Sequence, residues 1–188
     1  MFTGIIKNIG QIKEINNQDS FISITIPSLK INVGDSVSID GACLTVFQHA
    51  KNNYSFQISH ETVSKTIINN YSENDFVNVE LPSTPDTLLS GHIVLGHIDD
   101  TAICTDVVSV DENLWDFYFT HTETNLIVNK GSVSINGVSL TTNKVDNSTF
   151  YISVIKHTYY ETTFKYINVG DKVNIEYDII GKYINEQT

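Results

Sequence analysis

Two short segments of this chain carry residue types that could do chemistry, and they are copies of one another. Asp40-Gly41-Ala42-Cys43-Leu44-Thr45 turns at a glycine and then presents a thiol and, two residues on, a hydroxyl. Asn136-Gly137-Val138-Ser139-Leu140-Thr141 repeats the turn with a hydroxyl in place of the thiol. On a strand, residues i and i+2 share a face, so Cys43 with Thr45, and Ser139 with Thr141, point the same way. Such groups beside a glycine, where backbone can approach a ligand, suit a polar heteroaromatic ring better than a metal or a phosphate. Two ordinary strand threonines and a small buried cysteine would look the same. The difference between the copies says more. A thiol in one cup and a hydroxyl in the other would let two molecules of one compound be held alike and treated differently. As a hydrolase nucleophile Ser139 fits poorly, because Gly137-Val138-Ser139-Leu140-Thr141 lacks the second glycine of a strand-to-helix elbow.

Gly91-His92-Ile93-Val94-Leu95-Gly96-His97-Ile98-Asp99-Asp100 adds two histidines, spaced so that they share neither a helix face nor a strand face. A lone histidine is most often a hydrogen-bonded structural group. Here, however, Gly96-His97-Ile98-Asp99 opens the second half as Met1-Phe2-Thr3-Gly4 opens the first. An imidazole titrating near neutrality at such an entrance would serve as a proton carrier.

These residues have to be positioned by a duplicated framework. Ser36-Val37-Ser38-Ile39 recurs as Ser132-Val133-Ser134-Ile135, an offset of 96 residues. The same offset pairs Thr62 with Thr158, Thr66 with Thr162, and Asp75, Val77, Asn78 and Glu80 with Asp171, Val173, Asn174 and Glu176. A unit of this length is a small domain rather than a solenoid repeat. The breakers Pro82-Ser83-Thr84-Pro85-Asp86 mark a linker, giving units at 1–90 and 91–178 with a tail at 179–188. Within each unit the period is two. Ile22, Ile24 and Ile26, then Val37 and Ile39, then Val77, Val79 and Leu81 alternate with polar residues, as do Val133 and Ile135, then Phe150, Ile152 and Val154, then Val173, Ile175 and Tyr177. That pattern reads as short strands with one wet face. Turns at Gly34-Asp35, Asp40-Gly41, Asn52-Asn53 and Asn136-Gly137 make each unit a small antiparallel barrel, whose closure hides the strand edges. Helical turns fit at 60–69 and 122–129, where the alternation lapses.

Composition narrows the partners. The chain has 188 residues, 40% of them hydrophobic and 18% charged, which supports a packed core. Its net charge is −11, and all 11 basic residues are lysine. A nucleic-acid binder neutralises phosphates with clustered Lys and Arg, so nucleic acid and anionic membrane are unsuitable partners. Apolar runs such as Ile93-Val94-Leu95 fall far short of a membrane span. No secretory signal is visible at Met1-Phe2-Thr3-Gly4-Ile5-Ile6-Lys7, so a cytoplasmic address is expected. Two cysteines and six scattered histidines show neither a disulfide framework nor metal-ligand spacing, and no metal is expected.

Taken in order, Met1-Phe2-Thr3-Gly4-Ile5-Ile6, Gly41-Ala42-Cys43-Leu44-Thr45-Val46, Ser90-Gly91-His92-Ile93-Val94-Leu95-Gly96-His97-Ile98-Asp99, the Gly131 to Thr141 segment and Val173-Asn174-Ile175-Glu176-Tyr177-Asp178 resemble the riboflavin synthase family, alpha-chain type. The resemblance covers nearly the whole chain. It implies an all-β fold of two tandem six-stranded antiparallel barrels with a short C-terminal helix that helps assemble a homotrimer. It also implies a reaction in which two molecules of 6,7-dimethyl-8-ribityllumazine exchange a four-carbon unit to give riboflavin and a pyrimidinedione, with no added cofactor or metal. Each site would lie between the first barrel of one subunit and the second barrel of the next.

Carried over by motif, the first-barrel pocket would use Gly4, Ile5, Ile6, Cys43, Leu44 and Thr45 with the segment Gln57, Ile58, Ser59, His60, Glu61 and Thr62. The second would use Gly96, His97, Ile98, Ser139, Leu140 and Thr141 with Ser153, Val154, Ile155, Lys156, His157 and Thr158. Lys130 resembles a family lysine that reaches a neighbouring subunit's ligand. His97, Ser139 and Cys43 would stand closest to the chemistry, Thr45, Thr62, Thr141 and Thr158 would anchor ring or ribityl hydroxyls, and Asp178 would assist Ser139. Asp100 stands where the family usually has glycine, and Lys156-His157 replaces a commoner proline-containing pair. Noncatalytic lumazine-binding proteins share this pattern but are expected to let one pocket decay. Here both sets of polar residues persist, which favours the enzyme.

Overall fold

Alternating apolar and polar residues produce two barrels of the same topology. The computed structural model describes every residue except 17, 19, 122–124, 147, 187 and 188. In the first barrel β1 (Asn8–Asn16), β2 (Phe21–Thr25), β3 (Ser36–Ile39), β4 (Ala42–Ala50), β5 (Asn53–Gln57) and β6 (Phe76–Glu80) close in the order β1-β2-β5-β4-β3-β6. In the second, β7 (Asp100–Asp111), β8 (Leu114–Thr120), β9 (Ser132–Ile135), β10 (Val138–Val145), β11 (Thr149–Ile155) and β12 (Lys172–Tyr177) close in the order β10-β11-β8-β7-β12-β9, the same cycle six strands later. Bulges at Ile12/Glu14 and Val46/Gln48, and at Cys104/Asp106 and Thr142/Lys144, supply the local bend that closure needs. The first interior is filled by aliphatic residues such as Ile12, Ile22, Ile24, Val37 and Val79. The second is filled largely by Phe117, Phe119, Phe150 and Phe164. Leu81, expected to continue the β6 alternation, lies past the strand and is exposed.

The β3–β4 and β9–β10 hairpins use two-residue turns, Asp40-Gly41 and Asn136-Gly137. Both residues of each turn have positive φ, 41° and 85° in one and 45° and 78° in the other. That is the turn geometry that matches strand twist and selects Asp-Gly and Asn-Gly.

The helical turn expected at 60–69 forms as α1 (His60–Lys65) and a following 3-10 turn, Ile67–Asn70. Residues 122–124 of the other expected helical turn lie outside the described residues, and 125–130 form turns rather than helix. The second helix instead sits at α2 (Lys156–Glu161), followed by a 3-10 turn at Thr163–Tyr166, where the 96-residue offset places the copy of α1. The tail forms α3 (Ile179–Asn185), capped by Asp178, whose carboxylate accepts from Ile180 N at 3.0 Å. Among the described residues no helix is long and apolar enough to cross a membrane.

The expected wet face is absent from four strands. Ser38 and Asn78 on β3 and β6, and Ser134 and Asn174 on β9 and β12, are each 1% exposed, because these strands turn their polar sides to the other barrel. Asn78 Nδ2 donates to the Asn136 carbonyl and Asn174 Nδ2 to the Asp40 carbonyl, both at 2.8 Å. The two amide oxygens accept in turn from Thr163 N and Ile67 N, also at 2.8 Å. Each bond has its mate under the 96-residue offset, so the interface is a local pseudo-twofold axis. The glycine turns abut across it, where a Cβ on Gly41 would stand 2.8 Å from Gly137 N.

Candidate active site

An extended strap precedes the first strand of each barrel, residues 1–7 and 91–99. The two straps pair with each other at Phe2 and Val94, through N–H to carbonyl bonds of 2.7 and 3.2 Å. Each is gripped by a carboxylate on the last strand of its own barrel. Glu80 accepts from Thr3 N and Gly4 N at 2.8 and 3.0 Å, and Glu176 from Leu95 N and Gly96 N at 2.7 and 2.9 Å. Burial pushes both carboxyls above their usual range, and these N–H donors pull them back.

Each strap then crosses to the opposite barrel. Ser139 N donates to the Gly4 carbonyl at 2.8 Å, and Cys43 N to the Gly96 carbonyl at 2.9 Å. Ile6 packs on the second core and Ile98 on the first. The expected grouping is thereby corrected: Gly4 and Ile6 belong with Ser139, while Gly96, His97 and Ile98 belong with Cys43. The antiparallel pairing of the straps carries each across the axis. Close approach requires glycine at both crossings. A Cβ on Gly4 would lie 2.6 Å from the Ser139 Cβ, one on Gly96 would lie 2.5 Å from the Cys43 Cβ, and φ is +73° and +82°.

On the Cys43 side the crossing leaves a cavity of about 550 Å³, lined by Ala42, Cys43, Glu61, Thr62, Lys65, Thr66 and the strap residues Gly96, His97, Ile98 and Asp99. This is within the size range of small-molecule sites. Strand β4 supplies the thiol from its outward face. Helix α1 supplies Glu61, Thr62 and Lys65, and its first turn is fixed by Ser59 Oγ accepting from Thr62 N at 3.0 Å. Cys43 is a free, half-buried thiol. The lining therefore combines hydrogen-bonding groups of both charges, Glu61, Asp99 and Lys65 among them, with the apolar Ala42 and Ile98.

On the Ser139 side both straps close in, through Gly4 and Gly91. A Cβ on Gly91 would stand 2.8 Å from Ser139 Oγ, and the hydroxyl meets His92 Nδ1 at 2.7 Å. Burial pulls the His92 pKa down and the Asp178 charge pulls it up. A neutral imidazole so placed can take a proton from the hydroxyl. Its Nε2 is buried without a partner among the described residues. Asp178 was expected to assist Ser139, but the serine's partner is His92, and Asp178 acts on that histidine while capping α3. In the sequence His92 stands out only as one of two histidines in its segment. No spacing in the sequence ties it to Ser139.

The remaining expected residues divide by burial. Leu44, Ile58 and Val154 are core residues, 3%, 8% and 0% exposed, pointing into the barrels. Thr45 and Thr141 are exposed on outer strand faces, and Leu140 is half-buried against the second core. Gln57 is exposed and donates to the Ser20 carbonyl at 3.2 Å. His60 borders a separate hollow with Ile15, Ser20 and Ile58, and Ile5 borders another with Thr3 and Glu80. Ser153 is held on the outer wall between Asp116 Oδ1 at 2.5 Å and Asn143 Nδ2 at 2.7 Å. Ile155, Lys156 and His157 are exposed at the start of α2, with Thr158 half-buried beside them. Lys130 is exposed and reaches Asn143 Oδ1 at 2.7 Å.

The lumazine binding domain family matches the chain twice, over residues 3–82 and 95–178. Riboflavin synthase of Actinobacillus pleuropneumoniae is 36% identical over 193 residues, covering 99% of this chain and 89% of that protein. The Bacillus subtilis riboflavin synthase is 37% identical over 189 residues, with 98% and 88% covered. The Saccharomyces cerevisiae enzyme is 35% identical over 204 residues, with 100% and 86% covered. Among solved structures, LumP complexed with riboflavin superposes with a TM-score of 0.85 at 23% identity over 94% of this chain and 99% of that one, which establishes the likeness of fold. LumP complexed with 6,7-dimethyl-8-(1'-D-ribityl) lumazine gives 0.83 at 23% identity, with 94% and 98% covered. With two copies of the family domain and synthase relatives aligned along nearly its whole length, the chain belongs to the lumazine-binding riboflavin synthase family.

Proposed function

We propose that this protein is a transferase that converts two molecules of 6,7-dimethyl-8-ribityllumazine into riboflavin and 5-amino-6-(D-ribitylamino)uracil. The observation that carries the reading is the pair of crossed straps, equivalent in the two halves, one laid against a thiol at Cys43 and the other against a hydroxyl at Ser139. The chemistry asks for such a pair. The methyl group on carbon seven of the lumazine is acidic because its carbanion delocalises into the ring, so a base and ring hydrogen bonds generate the nucleophile. The second molecule is the electrophile, activated by addition of water, a hydroxyl or a thiol. Four carbons leave one molecule and join the other, so atoms and electrons balance between two identical substrates. Holding both in fixed orientation lowers the barrier by several kcal/mol.

Cys43, His97 and Ser139 are the candidates for the chemistry, with Thr62 and Glu61 beside the first ring and Thr158 and His157 at the equivalent place beside the second. Lys130, exposed on the second barrel, would reach a neighbour's ligand in a homotrimer whose sites lie between subunits. The outward stripe Ile180, Tyr183 and Ile184 on α3, 59%, 67% and 62% exposed, supports assembly with further copies. Two free thiols suit the cytoplasm.

Incubating the purified protein with 6,7-dimethyl-8-ribityllumazine alone should yield riboflavin, read by absorbance, with one riboflavin formed for every two lumazines consumed. Tight binding with no riboflavin would sink this reading and assign the chain to the noncatalytic lumazine binders.

A further inference from the structure

The strap over the Cys43 cavity is tied to the C-terminal helix. Asp99 lines that cavity beside His97 and Ile98, and its Oδ2 takes both the Lys182 ammonium and, at 2.9 Å, Tyr177 N. Lys182 lies on α3, and the paired side chains are only 20% and 27% exposed. The Lys144–Asp146 pair, at 66% and 58%, is far more open to water and salt. Glu176, the carboxylate that grips Leu95 and Gly96, is stabilised in its charged form by Lys182 and opposed by Asp99. One ammonium, paired with Asp99, thus offsets the repulsion between the two carboxylates at the two ends of residues 95–99. Without it they repel, and the segment between them, with His97 and the Gly96 carbonyl that receives Cys43 N, loses its fixed position.

Among the described residues the first strap has no such tie. Counting from Gly4 and Gly96, the equivalent of Asp99 is Lys7, which is exposed. We propose that Lys182 is a positioning residue: through Asp99 it makes the seating of α3 set the shape and affinity of the Cys43 cavity, and leaves the first strap in place. The affinity part rests on the lumazine reading above, and the strap part does not.

The test uses the full chain with Lys182→Met and Lys182→Arg. Hydrogen exchange of the unliganded protein should show the backbone amides of residues 95–99 exchanging about tenfold faster in Lys182→Met, with those of residues 2–6 unchanged and the arginine variant restored. In turnover, Lys182→Met should raise KM about five- to tenfold with a smaller change in kcat, again restored by arginine. Equal loosening of both straps, or no loosening at 95–99, overturns the proposal, the first because it shows a general stability loss. If the wild type makes no riboflavin, the functional reading fails while the exchange comparison still decides the coupling.

Discussion

Asp40 and Asn136 occupy equivalent turns, yet only one of them titrates. Asp40 is fully buried, and burial pushes its pKa from 3.8 to about 7, against the pull of bonds from Asn78 N and the Tyr71 hydroxyl. A carboxyl that holds its proton more tightly folded than unfolded makes stability fall as pH rises. Its contribution is neutral below about 4, worsens through the interval, and is fully unfavourable above about 7. Asn136 shows that an asparagine fits the turn, since its Oδ1 accepts from Asn174 N at 2.7 Å as Asp40 does from Asn78. Asp40→Asn should therefore raise stability by roughly 2 kcal/mol at pH 8, with the gain shrinking toward pH 5. Urea unfolding of both proteins at several pH values checks this, and the comparison cancels the raised carboxyls of Glu80 and Glu176. A gap of the same size at pH 5 and pH 8 would show that Asp40 does not titrate in that interval.

The straps carry the site, and they are the elements that sequence conveyed least. From β3 and β9 onward the strands obey an offset of 96, so that part of each barrel and its Asp-Gly or Asn-Gly turn could be read directly, whereas β1 and β7 are related by 92 and β2 and β8 by 95. The straps obey 92, Gly4 to Gly96, and which barrel each one roofs depends on the Phe2–Val94 pairing, a contact between distant segments. The same offset of 96 places α2 after α1, a signal present in Thr62 and Thr158 that loss of strand alternation alone did not reveal. The strap's fit predicts an effect of its own. Gly96→Ala would add about 1–2 kcal/mol of left-handed strain and set a methyl against Cys43. Lumazine affinity, measured by its fluorescence, should fall about tenfold or more. Gly34, at φ +94° with nothing within 4 Å, is the control, since alanine there carries the strain without the collision. Equal losses in the two variants would mean that the strap yields freely and its contact with Cys43 does not shape the cavity.

At the scale of the molecule, the two barrels are joined by polar groups where a water-facing strand surface was expected. Period-two alternation reports which residues share a face and is silent on what that face meets, so Asn78 and Asn174 looked like solvent-side residues. Their identity in both copies, together with that of Glu80 and Glu176, was the available hint, because a solvated face has no need to repeat the same amide. Each asparagine bridges two backbone groups of the interface, Asn78 joining Thr163 N to the Asn136 carbonyl and Asn174 joining Ile67 N to the Asp40 carbonyl. Removing one amide strands a buried donor and a buried acceptor, at about 1–3 kcal/mol each. Asn78→Ala and Asn174→Ala should each lower stability by roughly 2–4 kcal/mol. Because each barrel closes its own hydrogen bonds and packs its own core, that loss falls on the joint rather than on either barrel. The wild type should melt in one transition and the double variant in two, the barrels unfolding separately once their interface is lost. Calorimetry distinguishes the cases. A double variant that still melts as one unit, only at lower temperature, would show that the crossed straps alone hold the barrels together.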